Sequence, residues 1–172
     1  MKRLLSVLTI AMALSLPQLG QAQEDGDSIL LEDLNGWEMG FHLGRLLPNQ
    51  IDGVTEIIPL WGLRGGYGFG NVTTEIGYIG GNGEGVEWND LHVSARMNIP
   101  VETIVGHVYI GFDLVDYVGV NGETVTQGSG HVGGGILNRL APGIWFRGDM
   151  KFNVNPGTSM YLGFGFTITF PD

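Results

Sequence analysis

The chain has 172 residues, 43% of them hydrophobic, no cysteine and a formal net charge of −10. The missing cysteines exclude disulfides, thiolate metal sites and a cysteine nucleophile, and eight basic residues against eighteen acidic ones argue against nucleic acid, whose phosphates need clustered Lys and Arg. After residue 22 no apolar stretch is long enough for a membrane-spanning helix, yet Lys151 is the one lysine left there, too few for an ordinary wet surface.

Residues 1–22 read as a removable export signal, with Lys2 and Arg3 as the basic start and Leu4 to Leu16 as the apolar run. A break from Pro17 to Ala22 follows, ending in small residues. Residues 23–36 are an acidic lead-in, with Glu24, Asp25, Asp27, Glu32 and Asp33 around Ile29, Leu30 and Leu31, and read as a periplasmic linker in preference to a short plug-like segment.

From Trp37 onward, large apolar and small or polar residues alternate with the period of two that marks strands. The first segment, Trp37 to Arg45, sets Trp37, Met39, Phe41 and Leu43 against Glu38, Gly40 and His42. In the second, Glu56 to Phe69, Ile57, Pro59, Trp61, Leu63, Tyr67 and Phe69 oppose Glu56, Gly62, Arg64, Gly66 and Gly68. Pro59 cannot donate to a ladder, which places it near the strand's start or at a bulge. The third, Val72 to Gly80, has Ile76 and Tyr78 on one face and Glu75 on the other, and the fourth, Trp88 to Asn98, sets Leu91, Val93 and Met97 against Asp90, His92, Ser94, Arg96 and Asn98.

The fifth segment, Thr103 to Val115, places Ile104, Val108, Ile110, Phe112 and Leu114 opposite His107, Tyr109 and Asp113. The sixth, Gln127 to Leu140, is thinned by glycines to Val132 and Ile136 against His131 and Arg139. The seventh, Ile144 to Val154, sets Phe146, Met150 and Phe152 against Trp145, Arg147, Asp149 and Lys151. The eighth, Thr158 to Phe170, has an unbroken apolar face of Met160, Leu162, Phe164, Phe166, Ile168 and Phe170 opposite Tyr161, Gly163, Gly165, Thr167 and Thr169. Strands of this length can cross a bilayer when tilted, and eight is an even number, as single-chain bacterial barrels require.

Longer connections at 46–55, 81–87 and 116–126 alternate with tight ones at 70–71, 99–102 and 141–143, as in a meander across a membrane. Trp37, Tyr67, Phe69, Phe146 and Phe170 are then expected at one interface, and Tyr78 and Trp88 at the other.

The eighth segment resembles the closing strand of Gram-negative outer-membrane β-barrels, with Gly163, Gly165, Ile168 and Phe170 on the positions of that family's assembly signal and Pro171-Asp172 following it. Residues 37–170 as a whole resemble the small eight-stranded OmpA/OmpX-type barrels. The resemblance implies an all-β, eight-stranded antiparallel up-and-down transmembrane barrel. It also implies outer-membrane lipid and lipopolysaccharide as surroundings, transient contact with periplasmic chaperones and the barrel-assembly machinery, and a monomer with a structural or surface role and at most a narrow pore.

The inward face collects Glu38, His42, Glu56, Arg64, Glu75, His92, Arg96, His107, Asp113, His131, Arg139, Arg147, Asp149 and Lys151. An eight-stranded barrel is just wide enough for its side chains to fill, so these charges are expected to pair in an interior polar network. The four histidines come from different segments without ligand spacing, so no metal or cofactor is expected. Two other readings compete. A soluble lipocalin-like barrel would turn Phe152, Phe164 and Phe166 inward around an apolar ligand. A lipid A deacylase would use His92 and Ser94 as base and nucleophile, as that family's His-x-Ser pair does on a similar barrel, although Glu102 lies in a turn where its third residue would be needed.

Overall fold

The computed structural model describes residues 31–83, 85–154 and 157–170. The export signal and residues 23–30 of the lead-in therefore lie outside the described residues. Eight strands follow one another: β1 Gly36–Asn49, β2 Ile58–Phe69, β3 Val72–Gly83, β4 Val86–Val101, β5 Ile104–Val118, β6 Thr124–Ala141, β7 Ile144–Asn153 and β8 Thr158–Phe170. Each pairs antiparallel with its neighbours in sequence, and β8 closes on β1 from Trp37↔Phe170 to Asn49↔Thr158. A closed sheet leaves no edge, so every strand's backbone finds partners on both sides.

The even strand count puts Gly36 and Phe170 at one end, called lower here, together with the hairpins at Gly70-Asn71, Glu102-Thr103 and Pro142-Gly143. Gly70 has a φ of 61°, which fits the first central position of a II′ turn, and Gly143 has a φ of 70° after Pro142. At the upper end the strands run further than the alternation suggested. β1 continues to Asn49, β4 starts at Val86, β5 continues to Val118 and β6 starts at Thr124. Ladder pairing thus takes up much of the segments expected as longer loops. Pro59 is the second residue of β2 and precedes the β2–β3 ladder, which begins at Trp61↔Gly80, so its missing N–H costs no bond there.

The outward face is apolar: Trp37, Met39 and Ile110 are each 64% exposed. Phe164 and Phe166 are also exposed, and Phe152 is half-buried, so the reversed faces of the lipocalin-like reading are not observed. Aromatic pairs lie at both edges of this face. Trp37 and Tyr67 meet edge-on at 5.3 Å below, and Trp61 and Tyr78 lie 5.6 Å apart above. Trp88 is not among them. It points inward and is fully buried, stacked on Tyr117 at 5.7 Å.

Candidate functional site

Three layers fill the lumen. The lowest is apolar, made by Leu34, Val105, Leu137 and Trp145. Leu34 comes from the lead-in, so this segment enters the lower mouth instead of trailing away as a linker. A short turn holds it, with Asn35 accepting from the Gly70 N–H at 2.7 Å and Asp33 paired to Arg139. Arg139 is thereby held at the rim, half-buried, apart from the interior network expected to include it.

The middle layer is polar and draws its residues from nearly every strand. Arg96 on β4 donates bidentately to Glu38 on β1, at 3.0 and 2.8 Å, and to Glu75 on β3 at 2.5 Å. Arg147 on β7 donates to the same Glu75 oxygen at 2.5 Å and through Nε to Asp149 at 2.9 Å. Asp149 also accepts from Arg64 and His107, each at 3.0 Å, and Arg64 donates to His42 Nδ1 at 3.0 Å. Thr73 and Asn98 satisfy the remaining donors of Arg96.

Above this, Lys151 donates to Asp90 at 2.6 Å and to Asp113 at 2.7 Å. Asp113 accepts from Asn153 and from His131 Nδ1, and the other nitrogen of that ring, Nε2, lies 2.9 Å from Ser94 Oγ. His92 approaches Asp90 at 3.5 Å. Tyr109 stands between the two groups, with its ring 5.9 Å from His107 and 5.8 Å from His131. Buried charges are tolerated when paired and hydrogen-bonded, and these are bound across the lumen from strand to strand. Of the inward residues named from the sequence, Glu56 lies outside the strands in the upper connection and is exposed.

Glycines make room for the rings. A Cβ at Gly62 would strike His42, one at Gly77 would strike His92, one at Gly111 His131, and one at Gly133 Tyr109. Each of these pairs is a cross-strand partnership in register.

The top layer is apolar and packs the upper end of the lumen. Leu46, Ile51, Val54, Ile58, Leu60, Ile79, Val86, Trp88, Val115, Tyr117 and Tyr161 form one buried cluster. Over it, the Val120 N–H donates to the Gly53 carbonyl at 3.2 Å, joining the connection after β1 to the one after β5. Sequence reasoning missed this layer, although its signal was legible as adjacent apolar residues, such as Leu46-Leu47, Ile57-Ile58 and Leu114-Val115, that put apolar side chains on both faces.

Two chemistries are suggested by this interior and limited by it. Ser94, His131 and Asp113 are joined in the order of a nucleophile, a base and its orienting acid. The base is His131, not the His92 of the deacylase reading. The cavity beside Ser94 is about 20 Å³, room for about one water, and admits no acyl group. Asp90, His92 and Asp113 bring one ligand atom each within 4.8 Å, as a metal site would. Lys151 Nζ already serves both carboxylates as their cation.

No protein-family model matches the chain, and no curated protein matches it in sequence. Solved structures do match in fold. The N-terminal β-barrel domain of Pseudomonas aeruginosa OprF shares 15% identity with a TM-score of 0.64, covering 79% of this chain and 98% of that one. Neisserial surface protein A gives 12% identity and a TM-score of 0.62 over 78% and 96% of the two chains. The outer membrane protein OprG from Pseudomonas aeruginosa gives 9% and 0.56 over 80% and 97%. At these identities the likeness is one of architecture: the chain has the closed eight-stranded fold of small outer-membrane barrels.

Proposed function

We propose that this chain is an integral outer-membrane protein whose barrel serves as a structural or surface-presenting element and does not conduct. The filling of the lumen carries the reading: among the described residues, apolar side chains pack both ends, ion pairs occupy the centre, and the space beside them is about 20 Å³. This narrows the sequence reading, which allowed at most a narrow pore. The membrane placement is supported by the outward face. From Met160 to Phe170 the outward residues of β8 span ten steps, about 33 Å at about 3.3 Å each. Tilted by roughly 40°, that is a band about 25 Å tall, the height of the apolar belt on outer-membrane barrels. In this reading the lower end is periplasmic, and the closing strand, with Gly163, Gly165, Ile168 and Phe170, is what chaperones and the assembly machinery engage during insertion.

Two measurements test it together. The mature chain refolded in detergent should migrate differently on SDS gels with and without boiling, and in planar bilayers it should give no conductance steps. A monodisperse protein in plain buffer would overturn the membrane reading, and reproducible ion steps from the unmodified chain would overturn the closed lumen.

A further inference from the structure

The membrane-facing surface carries two large hollows, and one of them has a charge at its rim. The lower hollow, about 870 Å³, lies between Trp37, Tyr67, Ile76 and Phe112, and no cation lines it. The upper one, about 910 Å³, crosses from β1 over β8 and β7 to β6, with walls of Leu43, Phe164 and Ile136 and a floor lowered by Gly134 and Gly148. Arg45 borders it. Of the basic residues in the described chain, Arg64, Arg96, Arg147 and Lys151 are taken up inside the barrel and Arg139 is paired at the lower rim. Arg45 is exposed and makes no ion pair among the described residues. Meanwhile Asp52, Glu56, Glu87 and Glu123 make the rest of the upper end acidic and repellent to anions.

Arg45 is the fifth outward residue of β1 counted from Trp37, about 20 Å above it after tilt, and so lies near the upper edge of the apolar band. A long side chain there reaches its guanidinium into the headgroup layer, where a planar fork suits a phosphate. We propose that this hollow is a site for one anionic lipid of the upper leaflet, with its phosphate on Arg45 and an acyl chain along the glycine-floored groove. The inference rests on the outer-membrane reading above.

The test is native mass spectrometry of the refolded barrel released from micelles containing dimyristoyl phosphatidylglycerol or dimyristoyl phosphatidylcholine, which differ in headgroup charge but not in chains. The wild type should retain one anionic lipid in about fivefold preference, the worth of one interfacial Arg. Arg45→Gln should lose the preference. Gly148→Leu should lower retention of both lipids, since a Cβ there meets only the Ile136 side chain at 3.8 Å and the added side chain fills the groove without straining the backbone. Equal retention of both lipids by the wild type, or an unchanged preference in Arg45→Gln, would sink the lipid site while leaving the barrel reading intact. A chain that forms no heat-modifiable barrel would instead bring down the membrane reading itself.

Discussion

Arg147 on β7 donates to Glu75 on β3 at 2.5 Å, and these two strands stand four places apart in an eight-stranded ring, on opposite walls of the barrel. Arg96 reaches the same carboxylate oxygen from β4. Glu75 is therefore the knot of the middle layer: without it Arg96 keeps Glu38 and Arg147 keeps Asp149, but three buried guanidinium groups, those of Arg64, Arg96 and Arg147, face two carboxylates. Breaking a buried pair by removing one partner costs about 3–5 kcal/mol, because the other charge stays uncompensated. Glu75→Ala should lower stability by about that amount in urea unfolding of the refolded barrel. A loss below about 1 kcal/mol, typical of exposed pairs, would mean that water reaches this layer.

The ring-over-glycine pairs make a separate prediction. Gly77→Ala forces a methyl into the His92 ring, while the nearest backbone atom, the Leu63 carbonyl oxygen, stands at 3.2 Å and must give only slightly. Overpacking of this kind costs about 1–3 kcal/mol. Adding His92→Ala should recover most of it, so that the double-mutant cycle shows a coupling of about 1 kcal/mol or more. Strictly additive losses would place the strain in the backbone and not in the ring.

The two faces of the barrel were unequally legible in the sequence. Trp37, Met39, Phe41 and Leu43 could be assigned outward because the outward face calls for large apolar groups at every second position, and no charge interrupts them. The lumen makes no such uniform demand, since a filled interior accepts either paired charges or apolar bulk. Trp88 is the instructive case. Its position beyond the expected apolar belt suggested an interfacial aromatic, but β4 begins two residues earlier at Val86 and keeps strict alternation, which puts Trp88 on the same face as Asp90. Which carboxylate meets which cation was beyond one sequence. Arg147 and Glu75 are 72 residues apart, and only barrel closure brings them together.

The lead-in should be a structural part of the lower mouth. Leu34 is 1% exposed against Val105, Leu137 and Trp145, so Leu34→Ala should cost about 2–5 kcal/mol, the range for a buried Leu truncated in place. Arg139→Ala, which removes a half-exposed pairing to Asp33, should cost about 1 kcal/mol or less. If the two substitutions proved equal, the segment would be held by charge and not by the apolar seat.

The hydroxyl of Ser94 should be unreactive despite its partners. It has the hydrogen bond to His131 that activates a nucleophile, but the adjoining space of about 20 Å³ holds about one water. A fluorophosphonate probe is expected to leave the folded barrel unlabelled, and Ser94→Ala to leave lipid A acylation unchanged in cells. Labelling of the folded protein at Ser94 would show that the lumen opens wide enough to admit a substrate.

Exposure alone does not distinguish lipid from water, but a matched pair of substitutions does. Ile110 is 64% exposed on β5, midway along its outward row, and Val120 is 63% exposed in the connection beyond that strand. In a soluble barrel both positions face water, and an arginine at either would change stability by no more than about 0.5 kcal/mol. In a membrane the two part company. Ile110→Arg must place a guanidinium near the bilayer midplane, at about 2–4 kcal/mol, whereas the cost fades to about 0–1 kcal/mol near and beyond the interface. Folding the two variants into lipid vesicles and titrating with urea should therefore give a difference of about 1–4 kcal/mol in favour of Val120→Arg. The same pair in detergent micelles should differ by less, because a thin micelle lets the longer side chain reach water. Equal stabilities in vesicles would take Ile110 out of the bilayer, and with it the outward face on which the membrane reading stands.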